Sequence, residues 1–144
     1  MVPNELGLEI MLNSMLEIRS KRYLIDGFPR ELDQALFFES KILEFQNILY
    51  FNAPEEVLVE RIMKRGKTSG RSDDSKEIIT KRIAVFNSNT MKVIDFYRRF
   101  GKVCEIQAVG GIEEVYERTK RALIPRFDFL IGPPGSNEVT KLLA

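Results

Sequence analysis

The chain predicts an α/β fold: a parallel sheet layered between helices on both faces. Two observations carry this. Three short apolar runs, Arg22 to Ile25, Asn47 to Asn52 and Val103 to Ile106, are bounded by turn residues and too brief for helices. Between them lie longer stretches with helical spacing, and strands alternating with helices favour parallel pairing. With 144 residues, 44% apolar and 30% charged, the chain is long enough to bury one modest core.

The elements follow in order. Pro3 and Asn4 open a helix with Leu6, Ile10 and Met15, plus Leu8 and Leu12, on its apolar side. Arg22 to Ile25 reads as a buried strand. A helix is expected near Glu31 to Leu43, with Leu32, Ala35, Leu36 and Phe38 as candidate core. After the strand Asn47 to Asn52, Pro54 suits the first turn of a helix over Glu55 to Lys64. Gly66 to Asp74 is a polar Gly/Ser/Asp loop. Helical patterns run from Lys76 to about Phe86 and from Met91 to Phe100, with Gly101 suited to a C-cap. Phe37, Phe38, Phe86, Phe96 and Tyr97 are most simply core. A third strand, Val103 to Ile106, leads through Gly110 and Gly111 to a helix over Ile112 to Leu123. Pro125 marks a break, and Arg126 to Ile131 reads as a further strand.

Composition excludes some functions. A net charge of +1 suggests neither a nucleic-acid nor an acidic partner. The single cysteine, Cys104, forms no internal disulfide and reads as a buried strand residue in a reducing compartment, hence a cytoplasmic expectation. No apolar run is long enough for a membrane span, and no secretory signal pattern opens the chain. Histidine is absent, which excludes His-based triads and His metal sites. Phosphoryl transfer remains, because it relies on positioning and charge stabilisation.

The most informative stretch is Tyr23-Leu24-Ile25-Asp26-Gly27-Phe28-Pro29-Arg30. It places Asp26 at a strand's carboxyl end, where ligands bind in open α/β sheets. Arg30 follows with a planar fork suited to phosphate. This octapeptide resembles the signature of the adenylate kinase family of nucleoside monophosphate kinases. A second block, Glu60 to Asp74, resembles that family's short lid with flanking arginines, and Arg82 extends the match. The similarity runs from about Val2 to Leu123.

The resemblance implies a P-loop nucleoside-kinase-like sheet with a short lid, incomplete or permuted here. It implies magnesium-dependent transfer of a phosphoryl group from ATP to AMP, giving two ADP. Asp26 would organise the magnesium hydration shell. Val2, Gly27, Arg30 and Gln34 would bind AMP, with Arg71 and Arg82 converging on the transferring phosphoryl group. Arg61, Arg65 and Gly110 would hold ATP, with Arg65 also acting on the phosphates. Asp73 and Asp74 would orient the lid arginines. Gln34 lies four residues after Arg30, so a helical turn would put both on one face. A glutamine at that spacing reads adenine, whereas UMP/CMP-specific relatives carry asparagine. Two alternatives are a UMP/CMP kinase and a catalytically weak nucleotide-binding module.

Residues 124–144 are unusual. After the expected strand comes Gly132-Pro133-Pro134-Gly135-Ser136, which resembles the family's phosphate loop, a feature that normally opens the domain. Gly132, Gly135, Ser136 and Thr140 keep the pattern and would contribute to the ATP site. Asn137 and Glu138 replace its glycine and lysine. Glu138 would repel nucleotide by about 1 kcal/mol if solvent-screened, and by more if desolvated. Lys141 is displaced by three residues. Residues 1–123 then form a kinase domain lacking that loop and most of the monophosphate segment. Residues 124–144 begin either a further kinase domain in a tandem parent chain, the favoured origin, or a permuted strand filling the gap between Arg22–Ile25 and Asn47–Asn52.

Overall fold

A computed structural model describes residues 4–18, 20, 22–69 and 75–127. The elements are α1 (Asn4–Ile18), α2 (Leu32–Lys41), β1 (Ile48–Asn52), α3 (Glu55–Ser69), α4 (Lys76–Val85), a π-helical segment (Phe86–Thr90), α5 (Met91–Arg98), β2 (Val103–Gln107) and α6 (Ile112–Phe127). Among the described residues the sheet is β1 and β2 alone, parallel and in register from Ile48↔Val103 to Asn52↔Gln107.

Side chains alternate across the sheet. Ile48 and Val103 pack against a core of Ala35, Val93 and Tyr97, so α2 and α5 cover that face. Cys104 and Ile106, buried on the alternate face, lie under α6, which packs on β2. An aromatic chain completes the core. Phe38 stacks on Phe45 at 4.8 Å between ring centroids, and Phe45 meets Tyr97 edge-on at 5.9 Å. The Tyr97 hydroxyl donates to Glu39 Oε2 at 2.7 Å, and Phe45 N–H donates to Glu39 Oε1 at 2.9 Å. Burying this polar edge is therefore compensated on both sides. Burial and the Glu39 carboxylate push the Tyr97 phenol well above the usual tyrosine range.

The structure corrects several expectations. Arg22 to Ile25 is not a strand: it joins no sheet among the described residues, and Leu24 is 59% exposed. A buried parallel strand needs a neighbour to satisfy its backbone, and no described strand lies beside this segment. Leu6, Ile10 and Leu36 are exposed rather than core; of the apolar side expected for α1, only Leu8 is fully buried. Phe38 and Tyr97 are buried as expected, and Phe37, Phe86 and Phe96 are half-buried. α3 runs to Ser69, so residues 66–69 of the expected loop are helical, and residues 70–74 lie outside the described residues. The break expected after Phe86 is a π-helical turn that joins α4 to α5 without a loop.

Pro125 does not end α6, which continues to Phe127. A proline forfeits one backbone bond. Here the helix end is held by the Arg126 guanidinium, which donates to Asn47 Oδ1 at 3.1 Å and Gly101 O at 3.2 Å. Arg126 and Phe127 are thus helical, not the start of a strand, and 128–131 lie outside the described residues. The C-cap of α5 is Arg99; Gly101, expected there, adopts φ +67° two residues on and closes the turn by donating to Arg98 O.

Candidate functional site

Two clusters of predicted site residues take shape. The first is the turn between Ile25 and α2. Gly27 has φ +68°, a conformation only glycine adopts cheaply. Its carbonyl accepts from Arg30 Nε at 2.8 Å, and a Cβ there would crowd the Arg30 guanidinium at 3.1 Å. The turn is anchored from below. Phe28 packs on Phe38 and Phe45 at 5.5 and 6.2 Å between centroids, and Pro29, joined to it by a cis peptide bond, is buried. Asp26 and Arg30 stand exposed beside these packed side chains.

Asp26 does not cap a helix. The N-cap of α2 is Glu31, five residues on. Arg30 precedes α2 rather than sharing a helical face with Gln34, which corrects the expected arrangement. The two still meet, because Gln34 Oε1 accepts from Arg30 N–H at 3.1 Å. The turn is also tied to the π-helical segment. Thr90 Oγ1 donates to Arg30 O at 3.0 Å, and Asn89 Nδ2 donates to Glu31 Oε1 at 3.3 Å. That segment continues α4, which carries Arg82, so the helix of one predicted arginine braces the turn of another.

The second cluster surrounds the loop after β2. Arg61, on α3, donates to Ala108 O at 2.7 Å and Gly110 O at 2.9 Å. Arg118, on α6, donates to Gln107 O and Val109 O, both at 2.6 Å. Four successive carbonyls are thus held by two guanidinium groups from opposite sides. Gly111 N–H donates to Glu114 Oε2 at 2.7 Å, while Gly111 O accepts from Val115 N–H, which makes Gly111 the N-cap of α6. Gly110, at φ +101°, sits where a Cβ would collide with the Glu114 carboxylate. Arg65 lies one turn beyond Arg61 on α3 and is exposed, as is Arg82 on α4; α3 and α4 pack together.

The structure therefore brings Arg61 to Gly110, and Gly27, Arg30 and Gln34 to one turn. Val2, Arg71, Asp73, Asp74, Gly132, Gly135, Ser136, Asn137, Glu138, Thr140 and Lys141 lie outside the described residues. Sequence reasoning missed Arg118, Glu114, Thr90 and the anchoring role of Phe28. Glu114 was findable: an acid three residues after a turn glycine is half of a capping box. Arg118 was not, because its partners are backbone carbonyls on another element. Among the described residues no group of three or more metal-ligating side chains exists.

A family profile described as adenylate kinase matches residues 1–102. The chain is 40% identical over 125 residues to a uridylate kinase of Saccharomyces cerevisiae, covering 85% of this chain and 61% of that protein. It is 39% identical over 134 residues to a UMP-CMP kinase of Lentinula edodes, covering 85% and 59%. It is 41% identical over 119 residues to adenylate kinase isoenzyme 1 of Caenorhabditis elegans, covering 81% and 57%. The chain thus spans less than two thirds of these relatives' length.

Proposed function

The chain belongs to the adenylate kinase family, and we propose from that premise that it serves reversible phosphoryl transfer from ATP to AMP. The observation that carries this reading is the Gly27–Arg30–Gln34 turn. An exposed arginine is braced beside a backbone that lets a phosphate approach closely, with an amide side chain one hydrogen bond away. Arg30 binds the AMP phosphate and Gln34 the adenine edge. Gln34 Oε1 accepts from Arg30 N–H, which orients the amide, and the two lone pairs of an amide oxygen let it accept from a base donor as well. Arg61, Arg65 and Gly110 form the ATP side, and Arg71 and Arg82 neutralise the moving phosphoryl group. Gly132, Gly135, Ser136 and Thr140 contribute to the ATP phosphates, Val2 to the AMP base, and Asp73 and Asp74 orient the lid arginines.

Magnesium bound through water at Asp26 would offset phosphate charge. No covalent intermediate or strong base is required; positioning and charge stabilisation suffice. Glu138 weakens the ATP side and sets this chain's turnover below that of a chain with lysine there. A reducing, cytoplasmic setting suits the buried free Cys104. No helix among the described residues is long and apolar enough to cross a membrane.

A second reading, transfer to UMP or CMP, is favoured by the names of two of the relatives above. One assay separates them. The purified chain is incubated with ATP, magnesium and AMP, UMP or CMP in turn, with Arg71→Ala as control. Turnover fastest with AMP and lost in the variant supports the proposal. Turnover fastest with UMP or CMP selects the second reading, and nucleotide binding without turnover reduces the chain to a binding module.

A further inference from the structure

The loop after β2 is held by two arginines, and only one of them has a place on the ATP side. The ladder with β1 ends at Gln107, and one further bond, from Ala108 N–H to Asn52 O at 2.7 Å, ties the start of the loop to it. Successive carbonyls of an extended chain point to opposite sides. Arg61 takes those of Ala108 and Gly110, and Arg118 takes those of Gln107 and Val109. A single Arg118 nitrogen, Nη1, reaches both of its carbonyls at 2.6 Å, one for each of its N–H bonds.

We propose that Arg118 is a positioning residue for ATP: from α6 it fixes residues 107–110, and through them it sets where the Arg61 guanidinium stands. This role stands on the reading of Arg61 and Gly110 as part of the ATP side. Arg61 is exposed. Holding a long solvated side chain in one geometry costs entropy, and the bonds that hold this one run to the loop. A shift of the loop therefore carries the guanidinium with it.

The loop has little of its own to resist such a shift. Val109 and Gly110 are both exposed, and Gly110, at φ +101°, keeps the backbone freedom of glycine. Arg118 restrains it on the flank opposite Arg61. It is half-buried on α6, which packs on β2. Its Nη2 stands 3.4 Å from where a Gly110 Cβ would lie, next to the residue whose carbonyl Arg61 holds. Hydrogen bonds from an ionised donor are the stronger kind. Arg118 need not touch nucleotide: both N–H bonds of Nη1 are committed to the loop, and its effect passes through Arg61. The Gly27–Arg30–Gln34 turn is braced by Asn89 and Thr90 instead, so the effect should fall on ATP and not on the acceptor.

Steady-state kinetics on the full chain, with ATP and the acceptor nucleotide varied in turn, test this. Arg118→Met keeps an unbranched stem and removes the donors. It is expected to raise KM for ATP by about fivefold or more, while kcat and KM for the acceptor stay within about twofold, the pattern of lost ATP binding rather than lost chemistry. A smaller rise in KM for ATP, or an acceptor KM that rises in step with it, would overturn the proposal. Should Arg118→Met not fold, Arg118→Lys, which keeps a cationic donor on a shorter reach, takes its place with a rise of about twofold or more in KM for ATP alone as the dividing line. If the unsubstituted chain binds ATP without turnover, calorimetric titration with ATP reads the same loss as a Kd about fivefold weaker, and an unchanged Kd overturns the proposal. An unsubstituted chain that binds no ATP would remove the ATP side itself, and the role of Arg118 with it.

Discussion

Tyr97 shows how one side chain couples core packing to pH. Its ring is 2% exposed, and its hydroxyl is committed to Glu39. Burial first, then the hydrogen bond and charge of Glu39, raise its pKa. The unfolded phenol titrates near about 10. Below that pH both states hold the proton and the stabilisation is complete. Above it only the unfolded chain releases the proton, so stability falls as pH rises. Tyr97→Phe is expected to cost about 1.5–3 kcal/mol at neutral pH, the worth of a hydrogen bond to a charged group. It should also flatten the alkaline decline. Urea melts of both proteins at neutral and strongly alkaline pH check this, and an equally steep decline in the variant would refute the assignment. Arg118 makes a parallel case on the opposite face. Arg118→Ala leaves the carbonyls of Gln107 and Val109 to water and should lower the local opening free energy of residues 107–111 by about 2 kcal/mol. Faster exchange confined to that loop is the expected signature. These contacts were invisible in the sequence, because an arginine's partner there is a carbonyl whose position depends on a different strand.

At the scale of elements, glycines and caps were the legible part. Gly101 was expected as a C-cap and takes a positive φ in the turn that closes α5, two residues beyond its Arg99 cap; Gly110 was expected as a turn and takes a positive φ. The two sites differ in surroundings. A Cβ at Gly101 meets nothing, whereas one at Gly110 meets the Glu114 carboxylate that caps α6. Gly101→Ala is therefore expected to cost about 1 kcal/mol, and Gly110→Ala roughly 2–3 kcal/mol because the cap must also move. Thermal melts of the two variants would invert the order if Glu114 were not engaged. Helix ends were less legible. Asn87, Ser88, Asn89 and Thr90 read as a break because such residues compete with a helix by local hydrogen bonding. Tertiary partners override that tendency. Asn89 and Thr90 bond out to Glu31 and Arg30, and the backbone keeps turning as a π-helical segment. Pro125 was misread for a similar reason, since Arg126 holds the helix beyond it.

For the whole molecule, the family match and the α/β layering were legible, while the extent of the sheet was not. Restoring the phosphate-loop pattern with Asn137→Gly and Glu138→Lys together should raise ADP formation from ATP and AMP by roughly tenfold or more. Removing one screened repulsion is worth about 1 kcal/mol, and the restored lysine adds charge stabilisation at the phosphates. An unchanged rate would show that those positions do not meet nucleotide. By itself the sequence determined the alternation of strands and helices, the Asp26–Arg30 signature and the positions that demand glycine. Each rests on local periodicity, spacing or backbone freedom, and neighbours along the chain specify all three. Only the tertiary structure decided that Arg22 to Ile25 joins no ladder among the described residues, that Gln34 reaches back to Arg30, and that Arg61 and Arg118 clamp one loop between them. Those outcomes depend on which backbone groups meet across the fold, and a hydrogen-bond partner 47 residues away leaves no periodic trace in the chain.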